Sequence, residues 1–326
     1  MTANDAYVEP HLTWRLLGPG DVQEVDEFRQ QLDALDDSVL SGVAASITHS
    51  GLHVVEGMAV GGWDAYASLS AFGISYVAET DPPRVYLMGG VHPVHRHQNI
   101  GTALFRWQFR RAVEWRDEHR PGQPLWVGCY AELTRPGSEK VPRNFGFVPE
   151  RYYYDLQRDL QRPVRHFEVD GITFAPLDDA REEEVRVLHN QCFAPLGGSD
   201  VTKVDWRHRL DEATFRYDWS FVALDGGRVV GYAMSGVDEG GGEVDEGGAQ
   251  ARLGGWTERF GVHPEYRGRG ISLALMSHCL TAMRASGCTE AGIGVDTIDG
   301  EGIKRFAADL GYATRDAVAL MSTVVG

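Results

Sequence analysis

Val262-His263-Pro264-Glu265-Tyr266-Arg267-Gly268-Arg269-Gly270-Ile271-Ser272-Leu273-Ala274-Leu275 decides how this chain is read, because the stretch occurs twice. The other copy is Val91-His92-Pro93-Val94-His95-Arg96-His97-Gln98-Asn99-Ile100-Gly101-Thr102-Ala103-Leu104, close to half of the 326 residues away. In each, an apolar strand candidate ends in Val-His-Pro, an arginine follows, small residues form a short loop, and an apolar helix begins. Duplication at that distance predicts two homologous domains, and the length lets each bury its own core.

The surroundings repeat as well. Leu12 to Leu17 and Ile172 to Leu177 are strand candidates. A helix is expected after each: Val22 to Leu35 behind the start signal Gly18-Pro19-Gly20-Asp21, and Ala180 to Phe193 behind Asp178. Further strands are expected at Ala65 to Ala71 and Val85 to Val91, then at Trp219 to Leu224, Val229 to Ser235 and Trp256 to Val262. Asp225-Gly226-Gly227 marks a hairpin. After the second loop, Ile271, Leu275, Met276, Cys279, Leu280 and Met283 recur at helical spacing until Gly287. Leu125 to Tyr130 and Ala291 to Val295 are the next strands, Gly146-Phe147 and Gly311-Tyr312 follow them, and each half closes on a strand, Arg151 to Leu156 in the first. The polar stretch Asp159 to Asp170, with Pro163, reads as a linker, so the domains are expected at residues 1–160 and 168–326. Asp238 to Gly248, rich in glycine and acid, reads as a surface loop.

Composition removes several function classes. The net charge of −16 is spread over both halves, so neither is a basic module and no nucleic-acid partner is expected. An acidic field favours encounter with amine-bearing partners. No apolar run approaches the roughly 20 residues of a membrane span. Met1 to Glu9 lacks the apolar segment of a signal peptide, so a cytoplasmic location without a membrane partner is expected. Cys129, Cys192, Cys279 and Cys288 have neither CxxC nor zinc spacing and read as reduced, buried thiols. His92, His95 and His97 alternate on a loop without neighbouring carboxylates, the pattern of solvated imidazoles rather than of a metal site.

The loops carry the chemistry. Unsatisfied backbone N–H groups at a helix N-terminus, together with the helix dipole, form a phosphate site, and small residues let the backbone come close. Gly268 and Gly270 serve that purpose in the second copy, Ser272 is small enough to allow contact, and Arg267 and Arg269 add charge. The first copy has Asn99 where the second has Gly270, asparagine being next best in the left-handed region, and Gly101 where the second has Ser272. A tight strand-to-helix turn without a ligand is the alternative reading. The loop is neither a P-loop nor a dinucleotide fingerprint, since Gly-Lys-Ser/Thr and the third glycine are missing.

A strand ending in Val-x-Pro, followed by Arg-Gly-x-Gly-Ile and a helix, resembles motif A of the GNAT acyltransferase superfamily, Gln/Arg-x-x-Gly-x-Gly/Ala. Gly146-Phe147 and Gly311-Tyr312 resemble that family's late Gly-Phe. Gly294-Val295-Asp296-Thr297 and the stretch from Val201-Thr202 through Trp206-Arg207-His208-Arg209-Leu210 resemble tandem bacterial members, a class related to mycothiol synthase. The resemblance covers nearly the whole chain. It implies an α/β (α+β) fold of two tandem GNAT domains, each a mixed, mostly antiparallel sheet flanked by helices, with a splay between its fourth and fifth strands. It further implies that acetyl-CoA or another acyl-CoA lies in the splay. By position, the pyrophosphate loops are then Arg96, His97, Gln98, Asn99, Ile100 and Gly101, running into Thr102, and Arg267, Gly268, Arg269, Gly270, Ile271 and Ser272. Val91 and Val262 then offer strand-end backbone groups to the pantetheine arm.

The reaction the resemblance implies is attack of an amine on a thioester, which needs positioning, proton removal and an oxyanion donor. Many members place a tyrosine four residues before the late glycine as acid for the leaving sulfur. This chain has Ala307 and Pro142 there, and the proline is expected to kink or break its helix. Glu258 precedes Val262 on its strand and is the candidate base, a solvated strand carboxylate being its alternative role; Leu87 aligns with it in the first copy. The leading expectation is an acyl-CoA-dependent N-acyltransferase acting on a small-molecule amine, with the second domain catalytic. The alternative is an acyl-CoA-binding module without turnover. Acetylation of peptides or proteins is the weaker third reading.

Overall fold

The computed structural model describes residues 7–36, 52–194, 200–238 and 253–326. Most of the expected glycine-rich loop and the first residues of the chain lie outside these. The chain forms two compact units, one of Met1–Tyr153 with Asp316–Gly326, the other of Tyr154–Arg315.

In the first unit the elements run β1 (Thr13–Leu16), α1 (Val22–Asp36), β2 (His53–Trp63), β3 (Leu69–Ala78), β4 (Arg84–Val91), α2 (Ile100–His119), β5 (Leu125–Glu132), α3 (Lys140–Asn144) and β6 (Val148–Asp159). The second has β7 (Thr173–Pro176), α4 (Glu182–Phe193), α5 (Lys203–Leu210), β8 (Phe215–Asp225), β9 (Arg228–Val237), β10 (Gly254–Val262), α6 (Ile271–Ala285), β11 (Glu290–Thr297) and α7 (Gly300–Leu310), before β12 (Ala313–Val325). The sheets are mixed and mostly antiparallel. Their orders are β1-β2-β3-β4-β5-β12 in the first unit and β6-β11-β10-β9-β8-β7 in the second, with β6 counted there from Tyr154.

The closing strands depart from the expected domain limits. β12, last in sequence, pairs antiparallel with β5 of the first unit from Val318↔Glu132 to Val325↔Leu125. β6 leaves the first unit at Tyr154 and neighbours β11 in the second. A contiguous cut at 1–160 and 168–326 therefore gives way to units that trade their last strands. Strand pairing is satisfied by any edge of matching register, so sequence proximity did not decide the partner.

Alternation along the strands builds the cores. Tyr232 and Met234 on β9 pack with Val185, Leu188 and Cys192 of α4 and Trp206 of α5. Gly231, pointing the other way, sits against Ile271 and Leu275 of α6, where an added Cβ would lie 3.1 Å from each. In the first unit Val25, Phe28 and Leu32 of α1 pack on Leu69 and Phe72, while Ala112 and Trp115 of α2 join Met58, Val85, Val127 and Phe147.

Two local expectations change. Ala65 to Ala71, expected as one strand, straddles the turn between β2 and β3, where Asp64 accepts from Tyr66 N and Ser68 N. β2 was hidden by its glycines. Packing demands them: a Cβ on Gly61 would lie 2.5 Å from the Trp63 ring and one on Gly62 2.8 Å from Trp14. Pro142 does not kink a long helix, because α3 has only five residues and the proline is third, where no intrahelical N–H is needed. The hairpin holds, with Asp225 opposite Arg228 and Gly226 and Gly227 at φ 56° and 95°. Among the described residues no helix is long and apolar enough to cross a membrane.

Candidate functional site

β10 and β11 run parallel and pair only from Gly254↔Glu290 to Thr257↔Ile293, then separate. At the separation β10 also slips against β9: Thr257 faces Ser235 but Arg259 faces Met234, leaving Glu258 as the extra residue of a bulge. A cleft of about 530 Å³ opens there. Glu258 to Val262 form one wall and Gly294 to Asp296 of β11 the other, with Cys192 and Phe193 at the end of α4. Arg267, Gly268, Gly270, Ile271 and Ser272 lie at the strand-end side, so every second-copy site candidate except Arg269 lines one cleft. Arg269 instead donates to the Asp170 carbonyl at 3.2 Å and lies 5.3 Å over the Tyr266 ring.

The loop geometry repeats in both copies. Gly268 and Gly270 have φ 77° and 83°, and His97 and Asn99 at the matching positions both have φ 63°. Asn99 and Gly270 are the N-caps of α2 and α6. The first turn bonds are Ala103 N to Asn99 O and Ala274 N to Gly270 O. The amides of Ile100, Gly101 and Thr102, and of Ile271, Ser272 and Leu273, precede those bonds and have no helical acceptor. These donors can hold an anion. The arginines have other work: Arg96 Nε donates to the Val91 carbonyl at 2.9 Å and Arg267 Nε to the Val262 carbonyl at 3.3 Å, lashing each loop to its own strand end. Each strand-end carbonyl thus accepts from the arginine of its own loop.

Polar groups surround the bulge. Burial raises the Glu258 pKa, Glu212 adds to the effect, and Arg259 and Arg209 oppose it. Arg259 Nη1 donates to His189 Nε2 at 3.0 Å, and His189 Nδ1 faces the Tyr232 hydroxyl at 2.6 Å. Burial first, then the charges of Arg259 and Arg209, lower the His189 pKa to about 4, so the ring is neutral. On the opposite face of β10, Phe260 stacks on Phe306 of α7 with centroids 5.6 Å apart and planes 6° apart. Ala307, in the place of the family's tyrosine, is buried.

The first unit keeps the splay but not the bulge. β4 and β5 pair from Arg84↔Trp126 to Leu87↔Cys129, and β4 stays in unbroken register with β3 from Ala71↔Val91 to Ala78↔Arg84. Its cleft of about 680 Å³ takes in Val91, Arg96, His97, Asn99, Ile100, Gly101 and Thr102. Gln98 lies outside that lining, its amide 3.5 Å from the Val94 carbonyl. Leu87 is buried where the second unit has Glu258. The Gln108 amide donates to the carbonyls of Ile74 and Met88, at 3.2 and 2.9 Å. Arg96 is bound by Asp36, which Arg135 also contacts.

Residues that sequence reasoning missed are Asp36, Cys192 and Phe193 on the early helices, Arg259 and Phe260 within β10, Gln108 within α2 and Arg135 just after β5. None carries a motif, and only the neighbourhood of Glu258 pointed toward Arg259 and Phe260. All four cysteines are free and buried, and burial pushes the Cys279 thiol up to about 12, so it is no nucleophile near neutral pH. His92 accepts from Val94 N and His95 lies 3.9 Å from Asp64.

Residues 183–312, which include the whole second cleft, match the acetyltransferase (GNAT) family. A mycothiol acetyltransferase of Thermobispora bispora is 28% identical over 260 residues, covering 76% of this chain and 78% of the relative. An acetyltransferase of Sodalis glossinidius is 35% identical over 139 residues, 43% of this chain and 85% of the relative. Among solved structures, a GCN5-related N-acetyltransferase from Sphaerobacter thermophilus shares the fold with a TM-score of 0.58 at 18% identity, covering 98% of this chain and 97% of that one.

Proposed function

The chain belongs to the GNAT acetyltransferase family, and from that premise we propose that its C-terminal cleft transfers an acyl group, acetyl first among them, from acyl-CoA to the amine of a small molecule. The observation that carries this reading is the meeting, in one cleft, of a parting strand pair, a bulge bearing Glu258 and a helix N-terminus opened by Gly270. The pyrophosphate lies on the amides of Ile271, Ser272 and Leu273, with Arg267, Gly268 and Arg269 shaping the loop. The arm follows β10 from Val262 toward the bulge. Four residues of strand span about 13 Å, which brings the thioester beside Glu258.

Glu258 is then the base. A carboxylate whose pKa is raised by burial is a stronger base than an exposed one once ionised, and it takes the proton the attacking ammonium must lose, directly or through water. The leaving thiol has a reference pKa near ~8.5, so the sulfur can depart as thiolate without the tyrosine that Ala307 replaces. A small acceptor is favoured by likeness over 76% of the chain to an acetyltransferase named for mycothiol.

For the N-terminal cleft a second reading is better supported, binding of acyl-CoA on Arg96 to Thr102 without turnover. It rests on the unbroken register of β4, with Leu87 in place of a carboxylate.

The test is release of free thiol from acetyl-CoA across a panel of small amines. Amine-dependent release that Glu258→Gln suppresses is expected. No release with any amine, from folded protein that still binds CoA, overturns catalysis.

A further inference from the structure

The two clefts differ most in the side chains beside the point where β10 and β4 leave their partners. On β10, Arg259 faces α4 and reaches His189, while Phe260, register partner of Ala233, faces the other way and stacks on Phe306. The C-terminal cleft thus has a polar side and an aromatic side at the same depth. Both rings are half-buried, and Phe306 immediately precedes Ala307 on α7. By the two copies' alignment, the positions of Phe260 and Phe306 hold Gly89 and Val141 in the N-terminal half. A side chain at Gly89 is excluded, since its Cβ would lie 2.6 Å from the Phe72 carbonyl oxygen. The N-terminal cleft is the larger, about 680 against 530 Å³.

We infer that the Phe260–Phe306 stack sets the length of acyl chain the C-terminal cleft accepts, closing it to all but short acyl groups. The inference rests on the acyl-CoA reading of that cleft. With the pyrophosphate on the loop after Val262, the thioester carbon lies between Phe260 and Glu258. The amine arrives on the side where the Glu258 carboxylate offers negative charge, Arg259 being turned to His189, because a cation loses less hydration there than against two phenyl rings. The acyl chain is left the aromatic side. Two methylenes of extra length meet a parallel ring pair held by β10 and α7, and a packed wall gives way to added volume only at a cost. Removing one ring opens space that is apolar, which extra methylenes fill favourably.

The experiment titrates free CoA, acetyl-CoA, butanoyl-CoA and hexanoyl-CoA by calorimetry into the full chain as wild type, Phe260→Ala and Phe306→Leu. Phe260 lines the C-terminal cleft and Phe306 stacks on it, so differences from wild type report that cleft. The expected result is a gain of tenfold or more in hexanoyl-CoA affinity relative to acetyl-CoA for Phe260→Ala and a smaller gain for Phe306→Leu, with free CoA bound within twofold of wild type. Near-UV circular dichroism checks the fold, and Phe306→Leu, which keeps an apolar side chain at a half-buried site, decides the question if Phe260→Ala does not fold. With two equivalents of free CoA bound to wild type, one for each cleft, a hexanoyl-to-acetyl ratio unchanged by the folded variants overturns the inference while leaving the cofactor reading intact; a single equivalent that Gly270→Val leaves unaffected overturns the cofactor reading of the C-terminal cleft. Failure of wild type to bind free CoA overturns the cofactor reading itself.

Discussion

Arg96 donates through both terminal nitrogens to the Asp36 carboxylate, at 2.8 and 2.7 Å. Arg135 donates to the same carboxylate at 2.5 Å. Asp36 ends α1, Arg96 follows β4 and Arg135 follows β5, so one carboxylate ties together the two strand ends that the splay has separated. The matching Arg267 instead turns to backbone carbonyls, those of Val262 and Cys192. The two loops have the same backbone and different electrostatics.

Asp36→Asn separates these roles. Burial alone would raise the Asp36 pKa, but the Arg96 hydrogen bond and the charges of Arg135 and Arg96 hold it below the usual carboxylate value. A depressed carboxylate stabilises the fold above its unfolded pKa, about 3.9, and that contribution is lost as pH falls through the lower folded value. Denaturant midpoints are therefore expected to show wild type more stable than Asp36→Asn at pH 7, with the gap closing below about pH 4.

Glu258→Gln is expected to lower turnover about 100-fold, within the range for loss of a general base. In wild type the acidic limb of the rate profile lies above the ordinary glutamate value of about 4.3, because burial and Glu212 favour the protonated form. Activity rises with pH through that limb. Rate against pH for both proteins checks this, and an identical limb in the variant assigns the titration to another group.

Gly270→Asn and Gly270→Val test the loop conformation. The site has φ 83° and open space around an added Cβ, so backbone strain is the cost rather than collision. Valine is expected to destabilise by about 1–2 kcal/mol and asparagine by less. Asn99 already holds the matching position at φ 63°. Thermal unfolding of the two variants, ranked in that order, is the measurement.

His189→Phe addresses the polar side of the cleft. With its folded pKa lowered to about 4 by burial and the neighbouring arginines, His189 binds a proton less readily in the folded chain than in the unfolded one. Stability is therefore unaffected by this group above about pH 6.5 and falls between there and pH 4, by roughly 1 kcal/mol per pH unit. Unfolding followed from pH 8 to 4 is expected to lose that part of its slope in the variant.

Much of the architecture was legible along the chain, for local reasons. The left-handed region favours glycine and, next best, asparagine, so Gly270 and Asn99 marked both loops, whereas His97, which adopts it as well, carried no such signal. Asp225-Gly226-Gly227 marked its hairpin in the same way. β2 was not legible, because Gly57, Gly61 and Gly62 dilute the strand pattern, and what requires Gly61 and Gly62 is packing against Trp63, Leu17 and Trp14. Asp36 and Arg135 gave no signal, since neither lies in a motif and they meet Arg96 only across the fold.

By itself, then, the sequence determined the two strand-to-helix turns and the hairpin, which depend on backbone preferences spanning a few neighbouring residues, while the duplication was read from the repeated stretch and the mixed sheet from the family resemblance it carries. Tertiary structure decided the rest: that β12 closes the first unit's sheet, that β10 bulges at Glu258 while β4 runs straight at Leu87, and that Arg96 faces a carboxylate while Arg267 turns to the carbonyls of Val262 and Cys192. These outcomes turn on strand register and side-chain burial between segments far apart in the chain, where a one-residue slip changes which groups meet.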